Sequence, residues 1–112
     1  MSKSYFIGAD DFIRKVNQIT NLKQKAISRE VINSAHRIER DAKERAPFDT
    51  GNLKKNITAS RVDEYQAKAI SAANYSEYVD KGTRKMAAQP FFTPAVESER
   101  TKFAENMRKI VK

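Results

Sequence analysis

Apolar residues recur every three or four positions through the first half of the chain and alternate with polar residues through much of the second half. A spacing of three or four places side chains on one face of an α-helix, whereas alternation is typical of a half-buried strand. The clearest helical stripe lies between about Lys23 and Arg45 and consists of Ile27, Val31, Ala35, Ile38 and Ala42. The stripe predicts one long helix of about 34 Å.

Two shorter elements are predicted before this helix. Ser4–Gly8 is an apolar, aromatic run that ends in glycine, which indicates an edge strand. Phe12, Val16 and Ile19 then repeat at helical spacing and predict a short first helix. The pattern breaks at Asn21, which favours two separate helices over one kinked helix.

The stretch Ala46–Leu53 separates the helical half from the alternating half. Pro47 cannot continue a helix and favours extended backbone in the residue before it, so the long helix is expected to end here. The side chains of Asp49 and Thr50 readily bond nearby backbone amides, and Gly51 allows a positive φ. We therefore predict a fixed turn, followed by a short helical turn that Thr50 caps.

Two runs in the second half suit β-strands, Ile57–Val62 and Ala67–Ala72, and Asp63–Gln66 is expected to join them as a hairpin. The hairpin has few apolar residues, so it requires a cover on one face to be stable. The long helix is the expected cover.

A brief helix is predicted next, with Asn74 as its N-cap, Tyr75 and Tyr78 within it, and Gly82 as its stop. The segment after Gly82 shows no regular period and carries two adjacent cations. We expect residues 81–90 to form an exposed, mobile loop.

The last helix is expected to begin with Thr93 as N-cap and Pro94 at the first helical position. Glu99 and Arg100 interrupt its apolar face near the middle. That face consists of Phe92, Val96, Phe103, Met107 and Ile110.

Together these elements predict an α+β fold, with one long helix and a C-terminal helix packed on a small antiparallel β-sheet. A length of 112 residues fits a single domain, 1–112. The first residues lack the apolar run of a signal peptide, and no apolar stretch has the length of a membrane span. We expect a soluble protein with no membrane partner.

The net charge of +8, from 22 Lys and Arg against 14 Asp and Glu, favours an acidic partner such as DNA or an acidic protein surface. The cation pairs expected on exposed loops are Lys54, Lys55, Arg84 and Lys85. If they contact DNA, they act on phosphate without reading sequence. Solubility alone explains them equally well.

Few features of the sequence support the hypothesis that the protein is an enzyme. Asp49–Gly51 is also the active-site tripeptide of aspartic proteases, but it follows a charged helix rather than a buried strand. His36 is the single histidine and there is no cysteine, so no metal site is predicted. With three glycines, the chain has no glycine-rich phosphate loop. We expect neither catalytic residues nor a cofactor.

Three motifs in order, Ala46–Ile57, Asn74–Thr83 and Met86–Ala95, resemble a family signature. They are similar to the small tail-completion, or head–tail joining, proteins of long-tailed phages and prophages, over about residues 5 to 97. The resemblance implies a virion structural protein without catalysis, assembled in the host cytoplasm and located in the neck between tail and head. It also implies closed homo-oligomeric rings, usually hexamers, that bind adjoining neck and tail proteins.

Ring closure requires one face of a subunit to bind a different face of the next. We predict that the 81–90 loop and the turn at Asp49–Gly51 form much of the contact between subunits or between adjoining rings. The predicted turn and interface residues are Asp49, Thr50, Gly51, Leu53, Tyr75, Tyr78, Gly82, Thr83, Met86, Pro90 and Phe91. The competing hypotheses are a sequence-independent DNA-binding protein and, more distantly, a hydrolase.

Overall fold

The computed structural model describes residues 2–15, 20–47 and 52–111. The elements in chain order are β1 (Lys3–Gly8), α1 (Asp10–Lys15), α2 (Asn21–Arg45), α3 (Asn52–Lys55), β2 (Ile57–Asp63), β3 (Gln66–Ser71), α4 (Ser76–Lys81) and α5 (Phe92–Val111). The predicted α+β fold is confirmed. The molecule is elongated, 53 × 20 × 19 Å, and its two long helices, α2 and α5, pack against each other.

Helix α2 begins at Asn21, two residues earlier than the apolar stripe alone predicted. Thr20 lies in extended backbone, and its side-chain oxygen accepts a hydrogen bond from the Lys23 amide at 3.2 Å, which caps the helix. The predicted break between two helices is therefore confirmed, but it lies at Thr20, one residue before the predicted Asn21, which is already helical. At the other end, Ala46 is extended, as expected for a residue that precedes proline.

The sheet is antiparallel, in the order β1-β3-β2, and the predicted edge strand and hairpin are both confirmed. A β-bulge between Arg61 and Asp63 precedes the hairpin turn. There the Asp63 carboxylate accepts a hydrogen bond from the Tyr65 amide at 2.9 Å. One face of the sheet packs on α2, which is the predicted cover.

The predicted apolar stripe of α2 forms the centre of the core. Its five members are fully buried: Ile27, Val31, Ala35, Ile38 and Ala42. Burial of this stripe supplies the main stabilisation, since an isolated three-stranded sheet with so few large apolar side chains is marginal in water.

Glu99, which interrupts the apolar face of α5, is buried in a polar network between α5 and α2. The Arg37 guanidinium donates to both Glu99 carboxylate oxygens, at 2.8 and 2.7 Å, and Ser34 donates to Glu99 at 2.6 Å. Arg37 and Asn106 also donate to Glu30. The hydrogen bond to Glu99 holds the pKa of Arg37 above its ordinary value. The network therefore fixes the two long helices in register.

Candidate assembly surface

The carboxylate of Asp80, the residue before the last in α4, organises the start of α5. Its Oδ1 accepts hydrogen bonds from the amides of Phe91, Phe92 and Thr93 at 3.0, 3.1 and 3.2 Å, and its Oδ2 accepts one from the Thr93 hydroxyl. The Lys3 ammonium lies 3.2 Å from Oδ2. This fully buried carboxylate thus ties together β1, α4 and α5.

The predicted start of α5 was wrong because Asp80, on another helix, binds the amides of its first turn. Thr93 is not the N-cap and Pro94 is not the first helical residue, because α5 begins at Phe92. The amides of the first turn are satisfied by Asp80 from a different helix, so the chain needs no capping side chain of its own at Thr93.

The hydrogen bonds around Asp80 favour its ionised form. Burial acts to raise the pKa of the carboxyl, but hydrogen bonds from Thr93, Phe91 and Lys3 outweigh it. The pKa of Asp80 therefore lies below its ordinary value. Asp80 is accordingly charged and buried at neutral pH, and it is compensated by four donors and one cation.

The segment between α4 and α5, residues 82–90, is here called the 82–90 loop. It is pinned at both ends: the Gly82 amide donates to the Tyr78 carbonyl and the Gln89 amide donates to the Val79 carbonyl, each at 2.8 Å. Between these anchors, Thr83 and Met86 bond each other's backbone, at 2.9 and 3.4 Å. Residues 83–90 are all exposed, as predicted, whereas their mobility stays a prediction.

Gly82 ends α4 with a φ of 80°, a backbone conformation that residues with a side chain rarely adopt. A Cβ at this position would lie 2.8 Å from the Ala88 amide nitrogen, so the loop folds back closely over Gly82. The predicted role of Gly82 as the stop of α4 is confirmed.

Gly82→Ala is expected to lower the free energy of unfolding by about 1–3 kcal/mol, through the strained φ and the clash with the Ala88 backbone. Urea denaturation of the purified chain measures it. Gly8→Ala is the matched control, since a Cβ there meets only ordinary contacts at 3.7 Å. Equal stability of Gly82→Ala and the parent chain would contradict this reading of the loop.

Helix α3 contacts the residue that precedes α4, since Asn52 Nδ2 donates to the Tyr75 hydroxyl at 2.7 Å. The structure thus brings α3, which follows the predicted turn, next to the start of α4. Tyr75 occupies the N-cap position of α4, so the predicted cap at Asn74 was wrong by one residue and Tyr75 precedes the helix. Asp49, Thr50 and Gly51 lie outside the described residues.

The other predicted interface residues divide by exposure. Tyr78 and Met86 are 46% and 37% exposed, and Thr83 and Pro90 are also exposed. Leu53 and Phe91 are fully buried in the core, so in the isolated chain they support the surface from beneath. We call the exposed part, formed by α3, α4 and the 82–90 loop, the candidate assembly surface.

The predicted phosphate-binding cations lie on this surface. Lys55, Arg84 and Lys85 are exposed and Lys54 is half-buried, and none of the four forms an ion pair with another described residue.

The described residues hold little that suggests catalysis. They contain no group of three or more histidine, aspartate or glutamate side chains placed to hold a metal ion. His36 is exposed and its Nδ1 lies 3.1 Å from Glu39. Nor do the same ranges contain a helix with the length and apolar character of a membrane span.

The sequence pattern missed Asp80 and its partner Lys3. Neither stands out on an apolar stripe, and the groups they bind are 11 or more residues away in the chain. The one available signal was an acidic residue next to the end of a short helix, where an unpaired carboxylate is unfavourable.

Comparison with known proteins finds a family model that matches most of the chain. The family model "HK97-gp10_like: Bacteriophage HK97-gp10, putative tail-component" matches residues 10–82, well over half of the chain. No curated protein and no solved structure matches. The matched range runs from α1 to Gly82 and so includes α2, the hairpin and α4.

Proposed function

This chain belongs to the HK97-gp10-like family of bacteriophage tail components, and on that premise we propose that it completes the phage tail and joins it to the head. It acts as a non-enzymatic structural subunit of the virion neck, assembled in the host cytoplasm. Copies form a closed ring, in six-fold symmetry, that binds the adjoining neck and tail proteins.

The family match is the observation that carries the proposal. The geometry supports it, because the residues that stand out are those that build and expose a surface rather than a reactive centre. The 82–90 loop is pinned at Tyr78 and Val79, while Asp80 fixes the helix that follows it. A loop held in this way presents its exposed side chains to a partner at a modest entropic cost.

The four cations of the candidate assembly surface support a second candidate function, the binding of duplex DNA without sequence preference. A net charge of +8, and four cationic side chains that form no ion pair with another described residue, favour contact with phosphate. Within the neck, the same cations would face either the genome in the channel or an acidic neighbouring ring. Steep weakening of duplex binding by salt, measured on the isolated chain, would favour the DNA function.

Deleting the gene from the phage that encodes the chain tests the proposal. The expected lysate contains filled heads and separate tails, seen by electron microscopy, and plasmid-encoded wild-type chain restores joined particles. Purified chain added to that lysate is expected to restore infectivity as well. Joined, infectious particles in the absence of the gene would overturn the proposed function.

A further inference from the structure

We propose that neighbouring copies of this chain join through their sheets, the free edge of β1 in one copy pairing with the free edge of β2 in the next. The inference rests on the proposed ring assembly and names its contact. The partner is a second copy of this chain, and the bonds are main-chain hydrogen bonds between strands.

The first observation is the direction of the β1 backbone groups. The Ala9 amide donates to the Tyr65 carbonyl at 2.8 Å, which continues the β1–β3 register as a hydrogen-bonded pair. In an antiparallel ladder such pairs alternate with non-bonded pairs, whose N–H and C=O groups point the other way. The backbone groups that point away from β3 therefore belong to Ser4, Phe6 and Gly8.

The same reasoning fixes the free edge of β2. The Ala72 amide donates to the Asn56 carbonyl at 2.9 Å, so the next bonded positions in β2 are Thr58 and Ser60. The groups that point away from β3 then belong to Ile57, Ala59 and Arg61. Each edge of the sheet thus offers an incoming strand three residues whose outward backbone groups form no hydrogen bond with another described residue.

Neither edge has the usual protection against pairing with a strand of another molecule. Exposed edge strands are generally protected by proline or by charged side chains. Here Lys3 is held by Asp80, the Arg61 guanidinium bonds the Ser28 hydroxyl and carbonyl in α2, and Asp63 bonds the hairpin turn. The bulge in β2 begins at Arg61, which leaves the strand before it regular.

The space beside β1 suits a strand. A groove runs between this edge and α5, and consists of two adjoining cavities of about 220 and 180 Å³. Tyr5 and Arg100 line both cavities, with the guanidinium 5.5 Å from the ring centroid.

The two edges also match each other. Strands β1 and β2 have 6 and 7 residues, and each carries an exposed large apolar side chain, Phe6 (54%) on β1 and Val62 (46%) on β2. Both strands run antiparallel to β3, so a rotation that continues the sheet pairs them in parallel. The contact joins two different surfaces, which is the requirement for a ring.

Proline substitutions test the contact. Phe6→Pro and Ala59→Pro each remove an N–H that points out of the sheet, a place where an edge strand tolerates proline. Each variant is expected to stay folded and to sediment as a monomer at concentrations where wild-type chain forms oligomers. Leu22→Ala, which removes an 80% exposed side chain on α2, is the control and is expected to assemble normally.

Mixing the two variants gives the sharper result. Phe6→Pro retains its β2 edge and Ala59→Pro retains its β1 edge, so the mixture is expected to give a 1:1 dimer and nothing larger. If a proline variant fails to fold, Phe6→Lys places a charge on the same edge and is expected to weaken assembly in its place.

Three results would overturn the contact: single variants that assemble like wild type, a mixture that stays monomeric, or wild-type chain that stays monomeric at millimolar concentration. These results concern the isolated protein. Failure of the proposed function appears instead as joined particles without the gene, so the two failures are distinguishable.

Discussion

Asp80→Ala is expected to lower the free energy of unfolding by about 3 kcal/mol, the scale found when one partner of a buried ion pair is removed. The substitution leaves Lys3 without its counterion and the first amides of α5 without an acceptor. Because α4, α5 and β1 all meet at this carboxylate, the loss affects the whole fold. Urea denaturation followed by circular dichroism measures it.

Two control variants show how much of the loss comes from the charge of Asp80 and how much is specific to this position. Asp80→Asn keeps one oxygen for the amides of Phe91 and Phe92 but loses the ion pair, so we expect a smaller loss of about 1–2 kcal/mol. Asp41→Ala removes a half-buried carboxylate whose pair with Arg45, on the surface of α2, contributes about 0.5 kcal/mol at most. Equal losses for Asp80→Ala and Asp41→Ala would contradict the capping role.

The lowered pKa of Asp80 gives the same prediction a pH signature. A carboxylate whose pKa is lower in the folded state stabilises the fold above its unfolded pKa, about 3.9, and loses that contribution as the pH falls through the folded value. The stability difference between wild type and Asp80→Asn is therefore expected to be constant near neutral pH and to shrink below about pH 4. A difference that grows with acid would overturn the assignment.

The elements that the sequence predicted well are those with local causes. The α2 stripe, the break next to Asn21 and the end at Pro47 all follow from spacing and backbone chemistry within a few residues. The hairpin and Gly82 are of the same kind, since a turn or a positive φ is encoded where it occurs. Such features are visible in a sequence because the interacting groups are neighbours in it.

The features that sequence reasoning missed depend on residues far apart in the chain. The start of α5 is set by Asp80, and the interruption at Glu99 is explained only by Arg37 and Ser34, more than 60 residues away. Helical spacing shows that position 99 faces the core, but it cannot show that the Arg37 guanidinium lies opposite Glu99. A polar residue on a buried face is therefore better interpreted as half of an unseen pair than as a weak spot.

The candidate assembly surface was predicted in part. Its exposed loop and cations followed from composition, and residues 83–90 are exposed as expected. Leu53 and Phe91 were included because they belong to the motifs, yet both are buried. A motif combines residues that maintain a surface with residues that form it, and only packing separates the two.

Deleting Arg84–Ala88 is expected to leave the chain folded and to abolish joining of tail to head. The deletion requires little rearrangement, because the two ends to be joined are already close. Gly82 lies against the backbone of Ala88, and the Gln89 amide keeps its hydrogen bond to the Val79 carbonyl. Loop shortening by itself changes stability little, so the free energy of unfolding is expected to change by less than about 1 kcal/mol. Complementation of the gene-deletion phage with this variant is expected to give no more infectious particles than an empty plasmid.

A loop of the same length with glycine and serine at positions 84–88 shows whether length or side chains matter. If Arg84, Lys85 and Met86 make the contact, this variant fails to join particles although its loop has the same length. Glycine and serine lack the large side chains that anchor an interface, and they make the loop more flexible. Charge reversal at Lys54, Lys55, Arg84 and Lys85 then separates the cations from Met86. Infectious, joined particles from the deletion variant would show that the 82–90 loop is dispensable and would leave the sheet edges as the contact between copies.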